Sequence, residues 1–288
     1  MNCKTAQQLS HLTSEFYKKQ AESFSATRTS PWDGWFRFAE YIKRYRNAHQ
    51  KETLLIRDIA CGNLRFEKFL LEEFPETPLD FYTIDNCKDL VESAYIFNQE
   101  IENNLDSLHQ KNSLDKGEEK VLPKGLQQVH FQHSDILEKL FASNQSQAVS
   151  KSFEGPLCDI SVSFGFMHHI PYFENRLLFL EALCESTKPG GLVCVSFWQF
   201  MKNEKLALKA QEVTACARQE YDLLDLEEND YLIGWKDYQH IYRYCHHFCD
   251  EEINKLANLL SEKAILLDSF ESDGRTGNLN KYIVFQVR

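Results

Sequence analysis

The sequence of 288 residues lacks several features that mark exported and membrane proteins. No apolar run is long enough to span a bilayer, and the N-terminal residues contain no apolar segment followed by a cleavage site. The nine cysteines are scattered and do not form the closely spaced pairs of a disulfide framework. We therefore expect a cytoplasmic protein that is not bound to a membrane.

Positively charged residues are also fewer than negatively charged ones. The chain has 32 Lys and Arg residues against 43 Asp and Glu residues, which gives a formal net charge of −11. Such a balance does not favour broad binding to DNA or to anionic membranes, so an RNA would have to be held by a local basic patch or with a partner's help. The length suits one elaborated α/β domain.

The most informative segment of the sequence is an apolar run that ends in a turn with one glycine. Residues 54–63, LLIRDIACGN, form an apolar run with Asp58 near its end, and apolar residues then recur at helical spacing over 65–74. This pattern predicts a strand, a tight turn and a helix, which is the first unit of a doubly wound sheet. Gly62 would let a ligand approach the backbone closely. The turn lacks the pattern G-x-G-x-x-G, which argues against a dinucleotide-dependent oxidoreductase.

Two further acidic residues follow later apolar strands. Asp85 ends the predicted strand 79–85, and Asp135 follows the alternating strand that begins at Gln127. Since the carboxyl ends of parallel strands meet at one edge of a sheet, we expect these acids near Asp58, where they would bind the hydroxyls and base of a nucleoside. The alternative is that each aspartate only caps the helix after it.

The remaining segments complete the predicted sheet. A buried strand at 159–164 leads to Gly165 and the pair His168-His169, a helix at 172–187 stops at the KPGG turn before a strand at 191–198, and strands at 264–270 and 281–287 form an antiparallel hairpin. We predict one α/β domain over 1–288 with a doubly wound, mostly parallel seven-stranded sheet and an antiparallel C-terminal strand. A helical segment at 1–50, insertions at about 100–125 and 142–155, and a substrate lid at 199–248 surround this sheet.

No metal site is expected. The pair His168-His169 has no third ligand at a telling spacing, so a packing or substrate-orienting role is favoured for it. A second cluster of metal-ligand residue types is interpreted as a packed aromatic segment because its members are too close together; it comprises Cys245, His246, His247 and Cys249.

The motif positions resemble those of the class I S-adenosylmethionine (SAM)-dependent methyltransferases. The pattern D-x-A-x-G-x-L at 58–64 stands where that family has D-x-G-x-G-x-G, and the order of strands and helices is similar over almost the whole chain. The resemblance implies the Rossmann-like methyltransferase fold and SAM as the cofactor. It also implies a cofactor site, which is made of Tyr17, Asp58, Ala60, Gly62, Asp85, Ser134, Asp135, Ile136 and Phe164.

A narrower resemblance concerns the methyl acceptor. The segments FSATRTSPW at 24–32, FGFMHHI at 164–170 and YRYCHHF at 242–248 are similar to segments of the tRNA wobble-uridine carboxymethyl methyltransferases. Those enzymes methylate a carboxylate on the wobble uridine, and the eukaryotic ones work with a small zinc-containing activator protein. The resemblance implies that tRNA is the substrate. A carboxylate acceptor needs cations that hold it, and we expect Arg28 and Arg243, helped by His168 or His246, to do so.

Three alternatives remain open at this point. A small-molecule methyltransferase with the same cofactor site would fit the acidic composition, and a catalytically inactive scaffold would follow if Ala60 and Leu64 abolish SAM binding. A carboxylate acceptor needs no general base, whereas a neutral hydroxyl or amine acceptor would need one. In that case His168 would serve as the base, and the rate would fall below a pKa of about 6.5.

Overall fold

A computed structural model of the protein describes residues 1–91, 126–221, 225–235 and 240–288. The predicted insertion at 100–125 lies outside the described residues. A helix begins at Lys88, and residues 92–125 lie outside the described part of the chain. Among the helices in the described part of the chain, none is both long and apolar enough to cross a membrane.

The strands form one large sheet and one small sheet. They are β1 (Leu54–Ile59), β2 (Leu79–Asp85), β3 (Leu126–His133), β4 (Cys158–Ser163), β5 (Thr187–Trp198), β6 (Asp230–Gly234), β7 (Tyr242–His246), β8 (Ala264–Ser272) and β9 (Asn280–Val287). The large sheet has seven described strands in the order β3-β2-β1-β4-β5-β9-β8. Among them, β9 runs in the direction opposite to the other six. The predicted fold class and the terminal hairpin are therefore confirmed.

Helices cover both faces of this sheet. They are α1 (Cys3–Ser25), α2 (Asp33–His49), α3 (Arg65–Glu73), α4 (Ile136–Ala142), α5 (Ser146–Ser150), α6 (Phe173–Glu185), α7 (Glu204–Tyr221) and α8 (Asp250–Leu259). Phe38 of α2 and Phe66 of α3 pack in one apolar layer. Phe179 of α6 and Ile253 of α8 pack in the other. The sheet is buried between two layers of helices, as expected of a doubly wound fold.

The segment predicted as a lid, 199–248, contains a hairpin that the sequence did not predict. After α7, strands β6 and β7 pair antiparallel and form the small sheet. The hairpin packs against α1, because the hydroxyl of Thr13 accepts a 3.0 Å hydrogen bond from the backbone N–H of Tyr244 and Leu9 joins Leu232 in a buried cluster. This packing holds α1 and the hairpin together.

Two predicted boundaries were wrong. Helix α6 ends at Glu185, and β5 already begins at Thr187, so the KPGG segment lies inside the strand rather than before it. A side chain at Gly191 would meet the backbone oxygen of Asp159 at 2.7 Å, so this glycine permits β5 to approach β4. The predicted linker 142–155 is also not purely irregular, because it contains the short helix α5.

Candidate functional site

A cavity opens where β1, β2, β3 and β4 end. It encloses about 1040 Å³, part of which is open to solvent. Ten of the predicted site residues line it: Tyr17, Arg28, Asp58, Ala60, Gly62, Asp85, Ser134, Asp135, Ile136 and Phe164. The structure therefore brings every predicted cofactor residue and one predicted acceptor residue to the same cavity, at the sheet edge where open α/β folds bind their ligands.

The turn after β1 has three residues in the left-handed region, and only one of them is a glycine. Ala60 and Leu64, which stand where the resembling motif has glycine, have φ of 63° and 51°, and Gly62 between them has φ of 57°. A left-handed conformation costs a residue with a side chain about 1–2 kcal/mol. The turn is held by a 2.7 Å hydrogen bond from the N–H of Ala60 to the carbonyl of Ile84 and by burial of the Leu64 side chain.

Asp85 connects the turn after β1 to the turn after β2. One of its oxygens accepts a 2.8 Å hydrogen bond from the N–H of Gly62, and the other accepts one of 2.8 Å from the N–H of Cys87. Burial raises the pKa of the Asp85 carboxyl, and these backbone donors oppose that rise. Asp85 therefore accepts the local hydrogen bond from Cys87 that a cap would accept. Its carboxylate also lines the cavity, and the remaining lone pairs of its oxygens can accept hydrogen bonds from a ligand.

Asp135 also caps a helix. Its Oδ1 accepts hydrogen bonds from the N–H groups of Leu137 at 2.9 Å and Glu138 at 3.2 Å at the start of α4. Its Oδ2 accepts one from the side-chain amide of Asn86 at 3.1 Å. The cap fixes the carboxylate beside Ser134 and Ile136 in the cavity wall, so capping and lining the cavity are compatible here.

His169, which the sequence analysis did not single out from the pair, lines the cavity. Its Nδ1–H donates to the carbonyl of Tyr244 at 2.6 Å, which leaves Nε2 to accept a 2.8 Å hydrogen bond from the hydroxyl of Tyr17. Burial and the charge of Arg243 lower the pKa of His169 to about 3, so the ring is neutral. Burial raises the pKa of Tyr17 to about 12. A neutral chain of hydrogen bonds therefore positions Tyr17.

His168, the histidine that was predicted to help hold the acceptor, lies behind His169. It is absent from the cavity lining, and its ring lies against the rings of His169 and Trp198, with centroids 4.1 Å and 5.0 Å away. Its Nδ1 is buried and has no hydrogen-bond partner in the described part of the chain. Burial and the adjacent His169 hold the pKa of His168 well below its usual range. The expectation of a base that titrates near about 6.5 is therefore not supported.

Two arginines form a positive group on one side of the cavity. The guanidinium of Arg28 lies 3.4 Å from the centre of the Phe24 ring, and Arg243 stands behind it and is 5% exposed. The Nε and Nη1 of Arg243 are buried and have no hydrogen-bond partner among the residues that the structure describes. Burial, and to a lesser extent Arg243, lowers the pKa of Arg28 to about 10. Within the described residues, no carboxylate forms an ion pair with either arginine, although buried charges are ordinarily paired.

His246 is not brought to the cavity. Its Nδ1 lies 2.8 Å from Asp230 and its Nε2 lies 2.7 Å from Glu252, which also pairs with Arg176 at 2.9 Å. These contacts connect β6, β7 and α8 in a buried polar network. Both ring nitrogens are engaged, so neither is available to hold an acceptor.

One group of described residues resembles a metal-ligand set. The ligand atoms of His168, His169 and Cys245 lie within 4.8 Å of one another, and all three residues are buried. Both nitrogens of His169 already form hydrogen bonds, and the positive charge of Arg243 acts on the Cys245 thiol. A cation would have to break these bonds and lie beside a guanidinium, so the group does not favour a metal.

Comparisons with known proteins agree on the fold. A SAM-dependent methyltransferase from Methanosarcina mazei matches with a TM-score of 0.52 and 17% identity, covering 82% of this chain and 93% of that one. A SAM-dependent methyltransferase from Clostridium acetobutylicum has a TM-score of 0.50 at 11% identity, over 94% and 98% of the two chains. A protein from Pyrococcus horikoshii has a TM-score of 0.51 at 15% identity, over 89% and 92%.

Comparisons of sequence alone give no match, either to a family model or to a curated protein. The similarity therefore lies in the arrangement of strands and helices. The chain has the Rossmann-like methyltransferase fold, with its cavity at the carboxyl ends of the parallel strands.

Proposed function

We propose that the protein is a SAM-dependent methyltransferase that methylates a carboxylate, and that this carboxylate belongs to a carboxymethyl side chain on the wobble uridine of a tRNA. One observation carries the proposal. A single cavity combines a nucleoside-binding strand edge with the guanidinium of Arg28, and neither Arg28 nor Arg243 behind it has a carboxylate partner among the described residues.

The cofactor side fits the chemistry of SAM. The cavity lies at the carboxyl ends of the parallel strands, where open α/β folds bind their ligands, and it combines acidic, hydroxyl and aromatic side chains. Nothing lies within 4 Å of where a Cβ would project from Gly62, so a ligand can approach the backbone there. Asp85 would bind the ribose hydroxyls, and Ser134 and Ile136 would contact the adenine. SAM, when bound, supplies an electrophilic methyl group.

The acceptor side fits an anion. A carboxylate near Arg28 would supply the negative charge that the two arginines lack, and it would be held by charge-assisted hydrogen bonds. Because a carboxylate is already ionised at neutral pH, its methylation needs alignment with the methyl group and exclusion of water rather than a base. The neutral state of His168 and His169 is consistent with that requirement.

The choice of tRNA is supported by where the three resembling segments lie. Phe24 and Arg28 from the first segment contact each other, and the guanidinium of Arg243 from the third lies 5.7 Å from the Phe24 ring. His169 from the second accepts the hydrogen bond of Tyr17 and donates to Tyr244 of the third. The acidic composition makes a small zinc-containing partner part of the proposal, as a source of additional tRNA-binding surface.

The decisive experiment is mass spectrometry of wobble nucleosides from cells that lack the protein. These cells should accumulate the unmethylated carboxymethyl nucleoside, and the wild-type gene should restore the methyl ester. Arg28→Ala should fail to restore it, whereas Arg44→Ala, a change at an exposed arginine on α2, should restore it. An unchanged nucleoside profile in the deletion would reject tRNA and favour a small carboxylate metabolite.

A second experiment separates cofactor binding from acceptor binding. The purified Arg28→Ala variant should bind SAM as tightly as the wild type, because Arg28 is assigned to the acceptor, but its turnover should be lost. Calorimetry gives the affinity and a radiolabelled methyl group gives the turnover. Turnover at the wild-type rate would overturn the role of Arg28. Absence of SAM binding to the wild-type protein would favour an inactive scaffold.

A further inference from the structure

A buried pair of carboxyl groups lies directly behind the cavity wall. Asp58 near the end of β1 is 3% exposed, and Glu67 on α3 is fully buried. The two side chains hydrogen-bond to each other. Asp58 lines the cavity, whereas Glu67 does not, so Glu67 stands behind Asp58 as seen from a ligand.

Hydrogen-bond requirements show what state this pair is in. Oδ1 of Asp58 and both carboxyl oxygens of Glu67 are buried, and apart from their mutual contact they have no hydrogen-bond partner within the described residues. An ionised carboxylate only accepts hydrogen bonds, so the contact between the two carboxyls is a hydrogen bond only while one of them carries a proton. Two buried negative charges in contact would repel each other without compensation.

In the part of the chain that the structure describes, no positive group lowers the pKa of either carboxyl. The charged or titratable groups that face the pair are Asp85 from the end of β2 and the thiol of Cys61 from the turn after β1. Burial raises the pKa of Asp58 well above its usual range, and burial raises that of Glu67 to about 7. Both neighbours are acidic groups, so they reinforce the protonated state.

We propose that Glu67 and Asp58 share one proton in the free protein and that a cationic amine bound in front of Asp58 expels this proton to the solvent. The inference rests on the proposed function, because SAM carries an ammonium group and a positive sulfonium that would face Asp58. The amine supplies the positive charge that the pair lacks, so both carboxyls are ionised in the complex. Glu67 is thus a positioning residue that makes cofactor binding dependent on proton release.

The direction of the pH dependence follows from this exchange. Below the pKa of the pair, binding must remove a proton, so the affinity for SAM rises with pH until the free protein is already ionised. Burial raises the pKa of Glu67 to about 7 and raises that of Asp58 well above its usual range, so the affinity should be lower at about pH 6 than at about pH 8. The amine of the ligand loses its own proton only near about pH 8, and that effect is common to all variants.

Calorimetry in buffers of different ionisation enthalpy measures the proton release directly. At about pH 6, binding of SAM or S-adenosylhomocysteine to the wild-type protein should release about one proton. Methylthioadenosine, which has neither ammonium nor sulfonium, should release none. Glu67→Gln keeps a hydrogen-bond donor to Asp58 but removes one titrating carboxyl, so it should release fewer protons than the wild type and bind SAM with a weaker dependence on pH. Glu72→Gln, at an exposed position on α3, should behave as the wild type.

The outcomes distinguish the inference from the proposed function. If the wild-type protein binds SAM without releasing a proton and with an affinity that does not change below about pH 7, the inference is overturned while the function stands. If Glu67→Gln releases as many protons as the wild type, the exchange belongs to another group, and the role of Glu67 is wrong. If neither SAM nor S-adenosylhomocysteine binds at any pH, the proposed function itself fails. The wild-type measurement decides the inference even if Glu67→Gln does not fold.

Discussion

Replacing Arg243 by methionine should remove activity without weakening the fold. The guanidinium is buried among four aromatic rings, whose centres lie 4.5 to 5.9 Å away, and no carboxylate pairs with it in the described part of the chain. Cation–π contacts are worth about 0.5–1 kcal/mol each. Burial of an ion without a partner costs several kcal/mol. Since methionine fills a similar apolar space, the variant should be as stable as the wild type or about 1–2 kcal/mol more stable.

Although the stability of Arg243→Met should not fall, its activity on the methyl acceptor should. Arg243 does not line the cavity, so its charge acts on the acceptor from behind Arg28. At an effective dielectric constant of about 20, unit charges about 4–8 Å apart interact by about 2–4 kcal/mol, which corresponds to about 30- to 1,000-fold in kcat/KM for the methyl acceptor. The affinity for SAM should stay unchanged. Urea unfolding gives the stability, and steady-state kinetics with the acceptor varied gives the loss of activity.

Arg176→Met provides the matched control. This arginine is also buried, but its Nε pairs with Glu252 at 2.9 Å, so its removal leaves a carboxylate without its cation and should destabilise the fold by about 3–5 kcal/mol. The reasoning would be refuted if Arg243→Met lost as much stability as Arg176→Met, because Arg243 would then be a structural residue and not a site held ready for an anion.

Two further predictions concern the pH profile and the packing of the sheet. Because His168 and His169 have lowered pKa values and stay neutral, kcat at saturating SAM should show no fall near about pH 6.5, and a transition there would contradict the neutral state assigned to them. Gly191→Ala should destabilise the fold by about 1–3 kcal/mol in urea unfolding, since a Cβ would meet the Asp159 oxygen at 2.7 Å. A loss below about 0.5 kcal/mol would show that β5 shifts easily.

The sequence predicted the large sheet well because its strands are marked by local patterns. Strand β2 was placed residue for residue at Leu79–Asp85, and the three aspartates after β1, β2 and β3 were expected at one edge from parallel-sheet geometry alone. Such predictions need only the apolar pattern of each strand and the rule that ligands bind at carboxyl ends.

The hairpin of β6 and β7 escaped prediction for a physical reason. Each strand has only five residues, and the buried side of the hairpin packs against α1, more than 200 residues earlier in the chain. The choice between His168 and His169 failed similarly, because two adjacent rings in a turn carry no periodicity that tells which one faces the cavity. The role of Glu67 was not predicted because its partner, Asp58, lies on another element, and no local sequence pattern shows that the two side chains meet.

The left-handed turn at Ala60 and Leu64 bears on how relatives of this chain can be found. Pattern searches treat glycine as the signature of this loop, whereas here hydrogen bonds to β2 and one buried leucine hold two residues with side chains in the left-handed conformation. Substitution of Ala60 or Leu64 by glycine would relieve strain rather than restore a missing shape. Searches based on backbone dihedral angles would therefore retrieve chains that consensus sequences discard.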